Sequence, residues 1–136
     1  MIRQQLSIFV ENEPGVLARV ARALADGGVN LRAMSVSDNA DDAVLRIVVD
    51  DERKATDVLE RDGALCVARD VVEVELPDKP GALAGVAEVL AAKNINVSYA
   101  YGSGGGAGKA CLYLRIPGPG AADADAAIQA HLAAMK

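Results

Sequence analysis

The chain has 136 residues, 51% of them hydrophobic, which is enough for one compact core or two very small ones. Its 14 basic and 19 acidic residues leave a formal charge of -5, so no positive excess exists to neutralise a phosphate backbone or an anionic membrane surface. With Phe9, Tyr99, Tyr101 and Tyr113 as the only aromatics, platforms for stacking bases are few, and neither nucleic acid nor membrane is expected as a partner.

Along the chain, Leu6, Ile8 and Val10 alternate with Gln5, Ser7 and Glu11, the period of a strand with one buried face. Asn12 and Glu13 form a turn, and Pro14 fits a first helical position. The spacing of Leu17, Val20, Ala21 and Leu24 predicts a helix with one apolar stripe toward a sheet, closed by Gly27-Gly28. Residues 30–37 and 43–49 read as a hairpin whose acidic loop runs from Asp38 to Asp42. A second helix is predicted over Glu52–Arg61, with Val58 and Leu59 inward and Gly63 as its stop, followed by a short strand over Leu65–Ala68. The order βαββαβ with short links gives an antiparallel sheet with both helices on one face, the ferredoxin-like arrangement of the α+β class.

The pattern then recurs. Glu13-Pro14-Gly15-Val16-Leu17 is matched by Lys79-Pro80-Gly81-Ala82-Leu83, and Val29-Asn30-Leu31 by Ile95-Asn96-Val97, both at an offset of 66 residues. Ala43-Val44-Leu45 is matched by Ala110-Cys111-Leu112 at an offset of 67, the extra residue belonging to the glycine-rich stretch Gly102–Gly108. A repeat this long is a whole small domain, so two tandem modules are expected, residues 1–69 and 70–136. The second has a strand over 71–76, a helix over 81–92 on Leu83, Val86, Ala87 and Leu90, strands over 95–101 and 110–116, and an alanine-rich helix near 121–134. No length remains for its last strand. The edge beside strand 71–76 is expected to pair with another chain or with the first copy's last strand, and a homodimer is expected.

Each copy places Pro-Gly at a helix start, where backbone N–H groups lack helical partners and the macrodipole is positive, so a carboxylate fits there. Gly15 and Gly81 also lack the Cβ that would keep a ligand from the backbone. Plain helix-start turns would account for either pair alone. Asn30 and Asn96 come one helix later, at the mouth of the second strand, and are expected to return near the same end of the sheet. Their amides suit a zwitterion, although a turn conformation after a glycine exit explains them equally well.

The run Asn12-Glu13-Pro14-Gly15-Val16-Leu17 followed by Gly28-Val29-Asn30-Leu31, and again Asp78-Lys79-Pro80-Gly81-Ala82-Leu83 followed by Asn94-Ile95-Asn96-Val97, resembles the ACT domain family over nearly the whole chain. The likeness is to small stand-alone proteins made of two such domains. It implies a regulatory protein that binds a free amino acid at the interface between modules and reports its level to an amino-acid metabolic enzyme or regulator. By position, Asn12 and Asn30 coincide with the side chains that hold ligand in serine-sensing members, while Gly15, Val16 and Leu17 offer backbone groups. The family's histidine two residues before the first asparagine is Val10 here, which sets serine apart from the expected ligand. In the second copy Asp78 replaces that asparagine and would repel a carboxylate, so the two sites should differ. The resemblance implies no catalytic residue, no metal and no cofactor. A second reading is an interaction subunit that modulates a partner enzyme without a ligand of its own. A third, an acyl phosphate hydrolase on the same scaffold, needs an arginine in the first loop, and Arg19 already lies inside the helix.

Other features carry less. Gly102–Lys109 resembles a phosphate loop, but Ser103 stands where a glycine should and Ala110 where a hydroxyl should, and the stretch leads into a strand. His131 has no catalytic neighbours in sequence and reads as a surface residue. Tyr99 and Tyr101 share one strand face, and Asp38, Asp41 and Asp42 read as a solvated turn. Cys66 and Cys111, in apolar runs without ligand spacing, read as reduced core thiols. No apolar run approaches a membrane span and no cleavable leader is visible, so a cytoplasmic location is expected.

Overall fold

The computed structural model describes residues 1–39, 42–104 and 106–135. They fall into two compact units, Gln4–Arg69 and Met1–Arg3 with Asp70–Lys136. Asp41 of the acidic turn and Gly105 of the glycine stretch lie outside the described residues.

In the first unit the chain runs β1 (Ile2–Glu11), α1 (Val16–Asp26), β2 (Leu31–Asn39), β3 (Asp42–Val49), α2 (Glu52–Arg61) and the opening of β4 (Leu65–Pro77). The strand order is β2-β3-β1, with both pairings antiparallel. Alternation puts Leu6 and Ile8 of β1 on the same face as Leu45, Ile47 and Val49 of β3, and α1 and α2 close that face with Val20, Leu24, Ala55 and Leu59. Cys66 and Ala64 pack on the margin of this core. Each buried Leu, Ile or Val contributes about 1.5–3 kcal/mol relative to exposure. Asp51 caps α2 by accepting from the Lys54 backbone N–H at 3.1 Å, a side-chain cap that α1 lacks.

The second unit repeats the plan with the rest of β4, α3 (Ala82–Ala92), β5 (Tyr99–Gly104), β6 (Lys109–Arg115), a 3-10 turn at Gly118–Gly120 and α4 (Ala121–Ala134). Its strand order is β4-β6-β5, and its core joins Val72, Val74 and Leu76 to Val86, Leu90, Leu114, Ile116, Ala124 and Ile128. No strand follows α4 among the described residues. The first three residues of the chain belong to this unit instead: Met1 and Glu73 exchange backbone hydrogen bonds of 3.0 and 2.7 Å, the signature of an antiparallel pair. The edge of strand 71–76 is thus met at Glu73 by the chain's own beginning, an occupant the repeat pattern did not suggest.

Three further expectations are corrected. The inward stripe of α1 is Val16, Val20 and Leu24, and that of α3 is Ala82, Val86 and Leu90; Leu17 and Leu83 are 49% and 56% exposed. A strict i, i+4, i+8 row serves a helix this short, and it rotates the predicted face by one residue. The strands read at 65–68 and 71–76 are one strand, β4. His131 is half-buried, its imidazole standing 2.8 Å from where a Cβ on Gly85 of α3 would lie, so it packs between helices α3 and α4.

The Glu73 carboxylate holds two groups at once, accepting from the Tyr113 hydroxyl at 2.7 Å and from Arg3 Nε at 3.3 Å. Tyr113 is 4% exposed, so losing its acceptor strands a buried hydroxyl. Glu73→Ala is expected to cost about 1–3 kcal/mol, read as a lower urea midpoint with an unchanged slope. Burial, then the bond to Glu73, then nearby Cys111, raise the Tyr113 pKa above its ordinary value. The neutral phenol therefore stabilises the fold fully below pH about 10, and that contribution is lost as pH rises from there toward the folded pKa. The difference in urea midpoint between wild type and Tyr113→Phe should accordingly shrink above pH about 10.

Candidate functional site

Pro14 and Gly15 end the turn after β1 and open α1. Gly15 has φ 91° and ψ -14°, and its counterpart Gly81 has φ 90° and ψ -14°, so both copies build the same left-handed opening. A residue with a Cβ is strained there whatever the space, and the space is in fact open, since no atom lies within 4 Å of a Cβ placed at either glycine. The requirement is therefore the backbone turn itself, and the cleared space faces outward. The Val16 N–H reaches the Glu13 carbonyl at only 3.5 Å and the Ala82 N–H reaches the Lys79 carbonyl at 3.3 Å, and neither helix has a side-chain cap. The positive ends of both helices are left for an external acceptor or for water.

Beside the first opening is a cavity of about 100 Å³. Glu11, Asn12 and Glu13 form its rim, and Val10, Val16, Leu17, Val36, Ala43 and Leu45 form its wall. Asn12 Nδ2 donates to Asp38 Oδ1 at 2.8 Å, which ties the loop to the end of β2. Glu11 stands directly opposite Asp42 in the β1–β3 ladder, so carboxylates crowd this rim. Val36 is on the wall because the β2–β3 register shifts between Leu31 and Ala33, which aligns Val36 with Leu45. The bulge and the Asn12–Asp38 bond were not legible in the repeat pattern.

Asn30 is not at this end. Its backbone N–H donates to Asp50 Oδ1 at 3.0 Å and its carbonyl accepts from the Asp50 N–H at 3.1 Å, while its side chain is exposed. Leu31 is level with Val49 in the ladder, whereas Asn39 and Glu11 are both level with Asp42. Eight strand residues therefore separate the two ends, roughly 26 Å. The expectation that Asn30 returns beside Pro14-Gly15 is overturned for a reason of direction: α1 carries the chain back down the sheet, and β2 then runs parallel to β1. Asn96 and Asp78 are separated in the same way, since Tyr99 pairs with Arg115 at one end and Pro77 with Lys109 at the other. Within a module, then, Asn12, Glu13, Pro14, Gly15, Val16 and Leu17 come together, and Asn30 and Leu31 do not join them.

In the second copy, Asp78, Lys79, Pro80, Gly81, Ala82 and Leu83 form the equivalent loop and helix start. Asp38 is replaced by Gly104, and the Asp78 carboxylate fills the vacated space, with Oδ2 at 2.9 Å from where a Cβ on Gly104 would lie. The Asp78 N–H is bonded to the Gly108 carbonyl at 2.8 Å. Gly102 and Gly104 of the glycine stretch end β5, Gly108 leads into its hairpin partner β6, and Lys109 pairs with Glu75 at 3.0 Å. This is a hairpin tip, as its position before a strand implied. Tyr99, Tyr101 and Tyr113 stack in a row, with ring centroids 6.5 and 5.4 Å apart. Burial, then Glu60, raise the Cys66 thiol pKa, which keeps it protonated. Among the described residues no three His, Cys, Asp or Glu side chains are placed to hold a metal, and no helix is long and apolar enough to cross a membrane.

The chain is 32% identical to protein BT0572 of Bacteroides thetaiotaomicron, whose structure superposes with a TM-score of 0.88 over 95% of this chain and 88% of that one. The ligand-free regulatory subunit of aspartate kinase from Thermus thermophilus shares the fold at 19% identity, with a TM-score of 0.72 over 94% of this chain and 91% of that one. The same subunit from Thermus flavus does so at 19% identity and 0.69, over 97% and 95%. No curated protein sequence is a significant match. The sequence profile described as the ACT domain pair matches residues 1–127. Two ferredoxin-like modules in tandem, each opening its first helix through a left-handed glycine, agree with that match: the chain belongs to the ACT domain pair family.

Proposed function

We propose that this protein is a cytoplasmic regulatory protein that senses a free amino acid at the first helix opening, the site being completed by a second copy of the chain. The observation that carries this reading is the cavity at that opening, where an uncapped helix start, the Asn12 amide and rim carboxylates face one small space. The ligand carboxylate meets the positive helix end, and its ammonium meets Asn12 and the acidic rim.

The separation of Asn12 from Asn30 supports the second copy. β2 is the outer strand of its unit, and Met34 and Val36 on it are 40% and 54% exposed. An outer strand with exposed apolar side chains favours pairing with another chain. If two β2 edges meet antiparallel about a two-fold axis, the start of one lies beside the end of the other, and the partner's Asn30 reaches the Asn12 loop. The occupied complex then reports to a metabolic enzyme or regulator. The fold shared with aspartate kinase regulatory subunits is compatible with such a role. An interaction subunit without its own ligand is the rival; it would co-purify with an enzyme and show a melting curve that no amino acid shifts.

A thermal-shift screen of the common amino acids on the full chain tests the proposal. At least one zwitterion should raise the melting temperature by mass action. Asn12→Ala and Asn30→Ala should each weaken that response about ten-fold in concentration while leaving the unliganded melting temperature near wild type. Silence of every amino acid at millimolar concentration would overturn the sensing role. A full response from Asn30→Ala, or a monomer by sedimentation, would remove the second copy from the site.

A further inference from the structure

The dimensions and chemistry of the cavity narrow the ligand further, on the proposal that an amino acid binds there. Its volume is about 100 Å³. An enclosed aliphatic cavity of about 150 Å³ binds benzene, and this smaller space favours a branched chain of a few carbons over an aromatic ring. Its apolar lining is wholly aliphatic, from Val10, Val16, Leu17, Val36, Ala43 and Leu45, and the polar side chains that border the space are Glu11, Asn12 and Glu13.

That division of polarity acts on each class of side chain. Glu11 and Glu13 at the mouth, with Asp38 and Asp42 close by on β2 and β3, repel an acidic side chain while attracting an α-ammonium. A basic side chain would have to leave its charge against hydrocarbon, where desolvation is costly. A hydroxyl set among Val16, Val36, Ala43 and Leu45 would face hydrocarbon, so an alcohol is disfavoured against the hydrocarbon of the same shape. We propose that this site selects a neutral amino acid with a short branched aliphatic side chain, of valine's size class, with its backbone charges at the helix opening and its side chain between Ala43, Leu45 and Val36.

Calorimetric titration of the full chain with alanine, valine, threonine, phenylalanine, aspartate and lysine reads this directly. Valine should bind tightest, with threonine, its isostere, weaker by about ten- to a hundred-fold. Phenylalanine and aspartate should give no heat. Ala43→Val fills the wall and should abolish valine binding while retaining alanine. If that variant does not fold, Val36→Ala on the exposed margin should shift preference toward isoleucine. Threonine, phenylalanine or aspartate binding as tightly as valine would overturn the selectivity while leaving amino-acid sensing intact, and so would unchanged valine affinity in Ala43→Val or an unshifted preference in Val36→Ala. Absence of heat with every amino acid would instead sink the sensing role itself.

Discussion

Both modules depend on burying one aliphatic face of a small sheet beneath two short helices. With so few aromatic side chains, the cores are assembled from Val, Leu, Ile and Ala, and helices of about eleven residues would be marginal without that packing. The same packing decides how each helix begins. Val16 and Ala82 are driven inward at the first turn, which turns Leu17 and Leu83 outward and holds the helix openings over the strand ends. The left-handed glycines then connect β1 to α1 and β4 to α3 without a side-chain cap. The position of the helix openings is thus a consequence of core packing.

Within this shared frame the two copies have diverged in a compensating pair of positions. The first joins an amide on the loop to a carboxylate on the partner strand, Asn12 to Asp38. In the second the carboxylate has moved to the loop as Asp78, and the strand position has become Gly104, which alone leaves room for it. Each arrangement is self-consistent: in the first the loop amide donates to the strand carboxylate, and in the second the loop carboxylate occupies the space beside a glycine. The two openings therefore share a backbone conformation and differ in the side chains around it.

Among the described residues no strand follows α4, and the first three residues of the chain stand against β4 through Met1 and Glu73, where Arg3 and Tyr113 share the same carboxylate. Glu73 thus joins residues far apart in sequence within one compact unit, and its pairing with a buried tyrosine makes it costly to replace. Because strand edges carry unpaired N–H and C=O groups, some occupant of this edge was foreseeable. Its identity was not, since the opening residues carry no periodic signal of their own.

Local patterning was sufficient for the module count, the helices and the helix openings, though not for the single strand β4 that joins the two modules' readings. Alternation in β1, the Pro-Gly pairs and the 66-residue offset are all short-range features, and each maps directly onto backbone conformation. The tertiary structure alone decided which face of α1 is buried, that Val36 shifts onto the cavity wall through a bulge, and that Asn12 bonds Asp38. It also decided that Asn30 lies a full strand length from the loop it was expected to join. The physical reason is common to these cases. Sequence spacing reports conformation along the chain, whereas register, chain direction and the choice of packed face depend on contacts between segments distant in sequence.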